Sequence, residues 1–385
     1  MERLWYSVGM YILFIYAILG IFGLLYCILN VSYKNKVAVI IFTFVALLFL
    51  FRFNVGQDIT TYLLSYERVQ NPIKDSLTYN LNRNFGFSIL IYLCKNIVHS
   101  YPLFILVTNG IVVFVITYIS FKYSKNILLS MLMFVGSGYL EVYYGSGLRQ
   151  SIAMAIFLFI FYEFIPKKQY LKYYMGAILA CLFHEAAVVT LFIPIIHKYS
   201  LKIRKKYIKV GLISIVCAIV VSYLVGYFAP KLAFKIGFAD AITHLALYFV
   251  TQSFSILGIG MEIVLTGLCI ILYYFNDKKD DWTFFQIEVA FFTLLVYILM
   301  IRYPLISRVC DLLQVIFIIL IPNLIQSITS KKKQLLSFAI VFLLNAFLLY
   351  VDISEKSNKT GFSVKDFPYI SIFETEKIEN YLYDE

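Results

Sequence analysis

The sequence predicts an all-α, polytopic integral membrane protein with about 10–12 transmembrane helices, and three observations predict it. Of its 385 residues, 61% are hydrophobic and only 14% are charged. The mean hydropathy is +0.83, too apolar for a soluble globule. Uninterrupted apolar runs recur along the whole chain at lengths that match a bilayer. A transmembrane β-barrel would instead alternate polar and apolar residues in segments of about ten, and no such alternation is present.

In chain order, candidate crossings fall at 5–29, 37–52, 102–120, 127–144, 149–165, 210–228, 254–275, 283–301, 309–327 and 335–350. The first run is longer than the apolar core of a signal peptide, and no small-residue cleavage site follows it. It therefore reads as a retained helix. Segments 85–98 and 174–196 can be re-entrant instead of crossing. The first of these is short for a span and carries Lys95, which suits an interfacial or re-entrant helix. The chain thus divides into a membrane domain, 1–350, with outer loops at 53–101 and 229–252, and a polar tail, 351–385. The second outer loop reads as an amphipathic surface helix.

Positive charge sets the orientation. With ten crossings and segments 85–98 and 174–196 both re-entrant, Lys34, Lys36, Lys122, Lys125, Lys167, Lys168, Lys172, the basic run 198–209, Lys278, Lys279 and Lys331 to Lys333 share one side. That side is the cytoplasm. Twelve crossings is the alternative and obeys the rule less well. The formal net charge of +11 follows from this topology, so no nucleic acid is implied. Arginine behaves differently. Of eight arginines only Arg204 lies in a cytoplasmic loop, while Arg3, Arg52, Arg68, Arg83, Arg149, Arg302 and Arg308 face outward. A guanidinium grips phosphate or carboxylate through two parallel hydrogen bonds, which lysine cannot do. Arginines kept on the disfavoured side point to an anionic ligand.

Four polar clusters lie at or near the outer membrane face: Arg52 with Asp58 and Tyr62, Arg149 with Gln150, His184 with Glu185 in the middle of an apolar segment, and Arg302 with Arg308 and Asp311. An ionisable group at membrane depth is by default a site. Each cluster also has a plainer reading. Arg52 and Arg302 can snorkel to headgroups, Arg149 can pair with Glu141, and His184 can be a core histidine partnered by Glu185. Together, however, the cations outnumber the nearby carboxylates, and an anion would balance them.

Several chemistries find no support. His184 opens H-E-A-A-V, so the second histidine of a zinc-binding H-E-x-x-H is missing. Asp280 and Asp281, in NDKKDDW, read as a solvated turn and not as a metal site. There is no Walker A loop, no G-x-G-x-x-G and no G-x-S-x-G. No metal or cofactor is expected. Cys27, Cys94, Cys181, Cys217, Cys269 and Cys310 occur singly in apolar stretches and read as core or lipid-facing fillers.

The succession Arg52, Gly56, Asp58, Tyr62 (R-x-x-x-G-x-D-x-x-x-Y), then L-R-Q-x-I-A at 148–153, then A-x-x-F-H-x-A-A at 180–187, then the late pair Arg302 and Arg308 resembles the EpsG family of Wzy-type polysaccharide polymerases. The resemblance covers most of the chain in order. It implies a multi-pass enzyme of the bacterial inner membrane, similar to the metal-independent, GT-C-like ligases of the same pathway. Such an enzyme joins undecaprenyl-diphosphate-linked repeat units of O-antigen, capsule or exopolysaccharide at the periplasmic or outer face, in partnership with a chain-length regulator. Glu185 departs from the family, which more often has a small residue there, so no role for it is inherited.

The residues themselves suit that chemistry. A diphosphate leaving group gains negative charge as the glycosidic C–O bond breaks, and preorganised arginines stabilise it. Arg149, Arg302 and Arg308 are the candidates, with Arg52 positioning Asp58 or holding a second diphosphate. The attacking sugar hydroxyl needs a base or an orienting partner; His184 is the first candidate and Asp58 the second. Gln150, Tyr62 and Glu185 are candidates for positioning substrate. Two competing classes are a membrane-bound glycan acyltransferase, which the outward arginines disfavour, and a lipid-linked oligosaccharide transporter. The paired broken helices of a transporter are not evident in the sequence.

Overall fold

The computed structural model describes residues 10–29, 36–53, 58–71, 84–136, 147–203, 211, 213–222, 256–277, 279–301, 306–359, 370–374 and 378. The chain forms two compact units. Unit 1 comprises Met1–Val188 and Val315–Glu385, and unit 2 comprises Val189–Gln314. Unit 1 contains α1 (Met10–Leu29), α2 (Lys36–Leu50), α3 (Ile59–Arg68), α4 (Phe85–Val98), α5 (Tyr101–Tyr123), α6 (Ile127–Gly136), α7 (Leu148–Phe164) and α8 (Tyr170–Phe183). A 3-10 helix, Glu185–Phe192, leads into unit 2. That unit holds α9 (Ile193–Ile203), α10 (Ile213–Ser222), α11 (Ile256–Phe275), α12 (Asp281–Leu299) and α13 (Ile306–Gln314). Unit 1 is then completed by α14 (Phe317–Gln326) and α15 (Lys331–Lys359).

Among the described residues five helices are long and apolar enough to cross a membrane, within α1, α5, α11, α12 and α15. The bent pair α13 and α14 is either one broken span, which would be a sixth, or a re-entrant loop. Shorter apolar helices include α2, α6, α8 and α10. Their outward faces are as apolar as their inward ones. On α1, Leu19 is fully buried while Phe14 is 66% exposed. A helix apolar on every side belongs in hydrocarbon. The protein is a multi-pass, all-α membrane protein.

The two ends of unit 1 differ chemically. At one end the Glu163 carboxylate accepts hydrogen bonds from Lys122 at 2.5 Å, Lys167 at 2.7 Å and the Tyr118 hydroxyl at 2.8 Å. There too Lys331 Nζ donates to the Cys27 carbonyl at 2.7 Å, and the Lys125 amide donates to Asn323 at 2.6 Å. The lysines collect where α1, α5, α7 and α14 end and where α6, α8 and α15 begin. The opposite end holds Arg52, Tyr62, Arg149 and His184, and consecutive long helices alternate between the two.

The Asn109 side-chain amide, on α5, donates to the Arg52 carbonyl at 2.7 Å. Arg52 itself is wholly buried, so it does not snorkel. Burial comes partly from the tail. Ser371 forms an antiparallel bridge with Arg52. The Phe53 N–H donates to the Ile370 carbonyl at 2.7 Å, and the Ile372 N–H to the Phe51 carbonyl at 3.0 Å. Part of the polar tail thus pairs with the segment that follows α2.

Two apolar runs are not continuous helices. The run at 309–327 is interrupted at Val315–Ile316 between α13 and α14, where the Tyr162 hydroxyl donates to the Ile316 carbonyl at 3.2 Å. A partner of this kind satisfies backbone that has left helical pairing in an apolar setting. The run at 174–196 is interrupted at His184. The proposed surface segment 229–252 and residue Arg302 lie outside the described residues.

Candidate functional site

The site forms at the arginine end of unit 1, where four short stretches converge. The first is the start of α7. Gly147 is its N-cap, which puts Arg149 and the buried Gln150 in the first turn. The Arg149 guanidinium lies 6.0 Å from the centre of the Tyr62 ring, a cation–π arrangement. Among the described residues its buried Nε has no hydrogen-bond partner.

The second stretch is α3, which carries Tyr62 and has Asp58 at its N-cap. Asp58 does not cap the helix with its side chain, and its backbone carbonyl accepts the Tyr62 N–H at 2.9 Å.

The third is α4, the run that is too short to span. The Phe87 ring on α4 lies 5.5 Å from that of Tyr62 and 5.8 Å from that of Phe104 on α5. Lys95, near the far end of α4, donates to the Glu67 carbonyl at 2.6 Å and the Val69 carbonyl at 3.2 Å. Both ends of α4 therefore meet elements of the arginine end, and the helix lies across it. Gly86 permits its close approach to α8: a Cβ there would stand 3.0 Å from the Leu182 carbonyl oxygen. Asn84, the N-cap of α4, is 6% exposed.

The fourth stretch is the break after α8. His184 donates its N–H to the Ala180 carbonyl at 3.0 Å and then turns extended, with φ −153° and ψ 128°. A tight turn follows, in which the Ala187 N–H reaches the His184 carbonyl at 3.0 Å and the Ala186 N–H reaches His184 Nδ1 at 3.3 Å. His184 is 5% exposed and Glu185 is exposed. The Glu185 carboxylate interacts electrostatically with His184 and with Arg149, and the Asn84 side chain faces it. One break in a helix therefore presents an imidazole and a carboxylate beside a guanidinium.

Unit 1 accordingly gathers Tyr62, Arg149, His184 and Glu185, with Gln150 and Asp58 on the same elements, while Arg52 lies on none of the four, in the segment after α2. Arg308 and Asp311 belong to α13 of unit 2, where their spacing places them on one face. Asp280 has a structural role, since its carboxylate accepts the Thr283 N–H and hydroxyl, each at 2.7 Å, and caps α12. Among the described residues no three His, Cys, Asp or Glu side chains converge as a metal site requires.

Sequence reasoning passed over Asn84 and Glu262. Glu262 is buried on α11 and accepts a hydrogen bond from the Gln314 amide. A glutamate inside an apolar run was the available signal. Asn84 gave none, because an asparagine before a helix ordinarily reads as a cap.

Fold and site together define a class, a multi-pass membrane protein that sets fixed cations, one histidine and one carboxylate at a single end of a helix bundle. The chain belongs to the EpsG family, whose model matches residues 35–371. Membership carries a polysaccharide polymerase-like role. No curated protein and no solved structure matches the chain.

Proposed function

We propose that the protein is a Wzy-like polysaccharide polymerase, an inverting, metal-independent glycosyltransferase. It moves a growing glycan from undecaprenyl diphosphate to a lipid-linked repeat unit at the outer face of the bacterial cytoplasmic membrane. The observation that carries this reading is the meeting of Arg149, His184 and Glu185 at the end of unit 1 opposite Lys122, Lys125, Lys167 and Lys331. A lipid-linked donor brings its diphosphate to an interface, and a guanidinium with an unused N–H is suited to hold it.

In one displacement the acceptor hydroxyl attacks the anomeric carbon, the C–O bond to the diphosphate breaks, and the hydroxyl proton leaves. The contact between the Ala186 N–H and His184 Nδ1 supports one of the two roles open to the histidine. With Nδ1 accepting, the neutral ring carries its proton on Nε2, so it donates a hydrogen bond. Such a donor orients the acceptor or steadies the departing diphosphate, and it leaves Asp58 as the candidate base on α3.

The test is reconstitution of purified protein with the cognate undecaprenyl-diphosphate-linked repeat unit. Longer glycans with release of undecaprenyl diphosphate are expected. Unchanged repeat units, or repeat units that only acquire an acyl group or only change leaflet, would refute the polymerase.

A further inference from the structure

Asn84 occupies the position from which asparagine normally caps a helix, yet its side chain makes no cap hydrogen bond. The Phe87 and Ser88 N–H groups both turn to its backbone carbonyl, at 3.1 and 3.2 Å. Its Nδ2 is buried and, among the described residues, meets no acceptor at hydrogen-bonding geometry. Its side chain stands within loose hydrogen-bonding reach of the Glu185 carboxylate, short of a well-formed bond. A buried amide that forgoes its cap stays undersatisfied, and here it does so beside a second buried donor without a partner, Arg149 Nε. Gly86 holds this arrangement close, through the approach of α4 to the Leu182 carbonyl.

We propose that Asn84 and Glu185 form a saccharide subsite next to His184, binding hydroxyls of the sugar ring nearest the lipid diphosphate. This rests on the reading above and assigns the sugar side of the same site. The chemistry selects the ligand. A carboxylate repels a diphosphate, so Glu185 does not serve the anion that Arg149 serves. A sugar hydroxyl both donates and accepts, and a vicinal pair can satisfy a carboxylate oxygen and an amide N–H at once. Charged hydrogen bonds of this kind discriminate by leaving a buried group unpaired when the right hydroxyl is missing.

The experiment measures binding by full-length protein of two probes, bare undecaprenyl diphosphate and the cognate undecaprenyl-diphosphate-linked repeat unit. Wild type is expected to prefer the glycan-bearing lipid by about tenfold or more. Asn84→Ala and Glu185→Ala should erase that preference without weakening binding of the bare lipid, and Arg149→Ala should weaken both. Glu185→Gln, nearly isosteric, decides the matter if an alanine variant fails to fold, because the amide should reduce the preference without altering the fold. Variants that keep the wild-type preference, or that weaken both lipids equally, would overturn the subsite. A wild type that binds the glycan-bearing lipid preferentially but never lengthens it sinks the polymerase and leaves the subsite standing. One that lengthens glycans without preferring the glycan-bearing lipid does the reverse.

Discussion

The Ala186 N–H points at Nδ1 of His184 from 3.3 Å, and the residues that carry it are two apart at the place where α8 stops. The hydrogen bond turns the imidazole into a donor at Nε2. This separates two substitutions that a base role would treat alike. Glutamine places an amide N–H near the Nε2 position but cannot take up a proton. His184→Gln should therefore keep elongation within about a hundredfold of wild type, whereas His184→Ala should lose about 10²–10⁴-fold. Turnover with purified protein and a defined lipid-linked repeat unit measures this. Equal inactivity of both variants would return the base role to the histidine.

Arg149 stands where charge and geometry can be tested apart. Lysine conserves the charge but not the fork, and a lysine cannot pair bidentately with a phosphate. Arg149→Lys should raise KM for the lipid diphosphate by about tenfold and Arg149→Ala by more, with longer glycans giving way to single repeat units in the polysaccharide ladder. Near-normal ladders from Arg149→Lys would show that a point charge suffices.

The arginine and lysine ends of unit 1 were legible because each rests on charge, which a sequence displays openly. Lys122, Lys167 and Glu163 are drawn together by Coulomb attraction at one end of α5 and α7, and the positive-inside rule anticipates that end. His184 was legible as a polar group inside an apolar run. Its setting at a helix break was not, since Ala-Ala-Val-Val after it reads equally well as helix or as extended chain. Asn84 was invisible because its role depends on the approach of α4 to α8, a contact between positions about 100 apart in the chain. The return of Ser371 to Arg52 was missed for the same reason: two buried isoleucines flanking one serine in a polar tail form too short a pattern to announce a partner.

Glycines that look alike in sequence should answer oppositely. A Cβ on Gly86 would meet the Leu182 carbonyl oxygen at 3.0 Å and its carbonyl carbon at 3.1 Å, and backbone at the end of α8 cannot swing aside. Gly86→Ala should cost about 1–3 kcal/mol and lower turnover by about tenfold or more, because the displaced break carries His184. Nothing lies within 4 Å of a Cβ on Gly267, inside α11. Gly267→Ala should raise stability by about 0.5–1 kcal/mol. Thermal unfolding in detergent, with turnover measured beside it, checks both signs. A Gly86→Ala protein as stable and active as wild type would show that α4 is not held by this contact.

The tail makes a final prediction about what keeps Arg52 in place. Ile370 and Ile372 are both buried, and their backbone carbonyl and N–H pair with Phe53 and Phe51 on either side of the arginine. Ile372→Ala removes packing and should cost about 2–4 kcal/mol, the ordinary range for a buried isoleucine cut to alanine. Ile372→Pro in addition deletes the N–H that reaches the Phe51 carbonyl. Truncation before residue 370 removes both hydrogen bonds and the strand partner of the wholly buried Arg52. Destabilisation should therefore grow from Ile372→Ala to Ile372→Pro to the truncation, and turnover should fall with it, because Arg52 precedes the candidate base Asp58 by only six residues in the chain. Melting temperature in detergent orders the three variants. A truncated protein that melts with the full chain would mean that the 51–53 segment holds its shape alone and that the tail only rests on it.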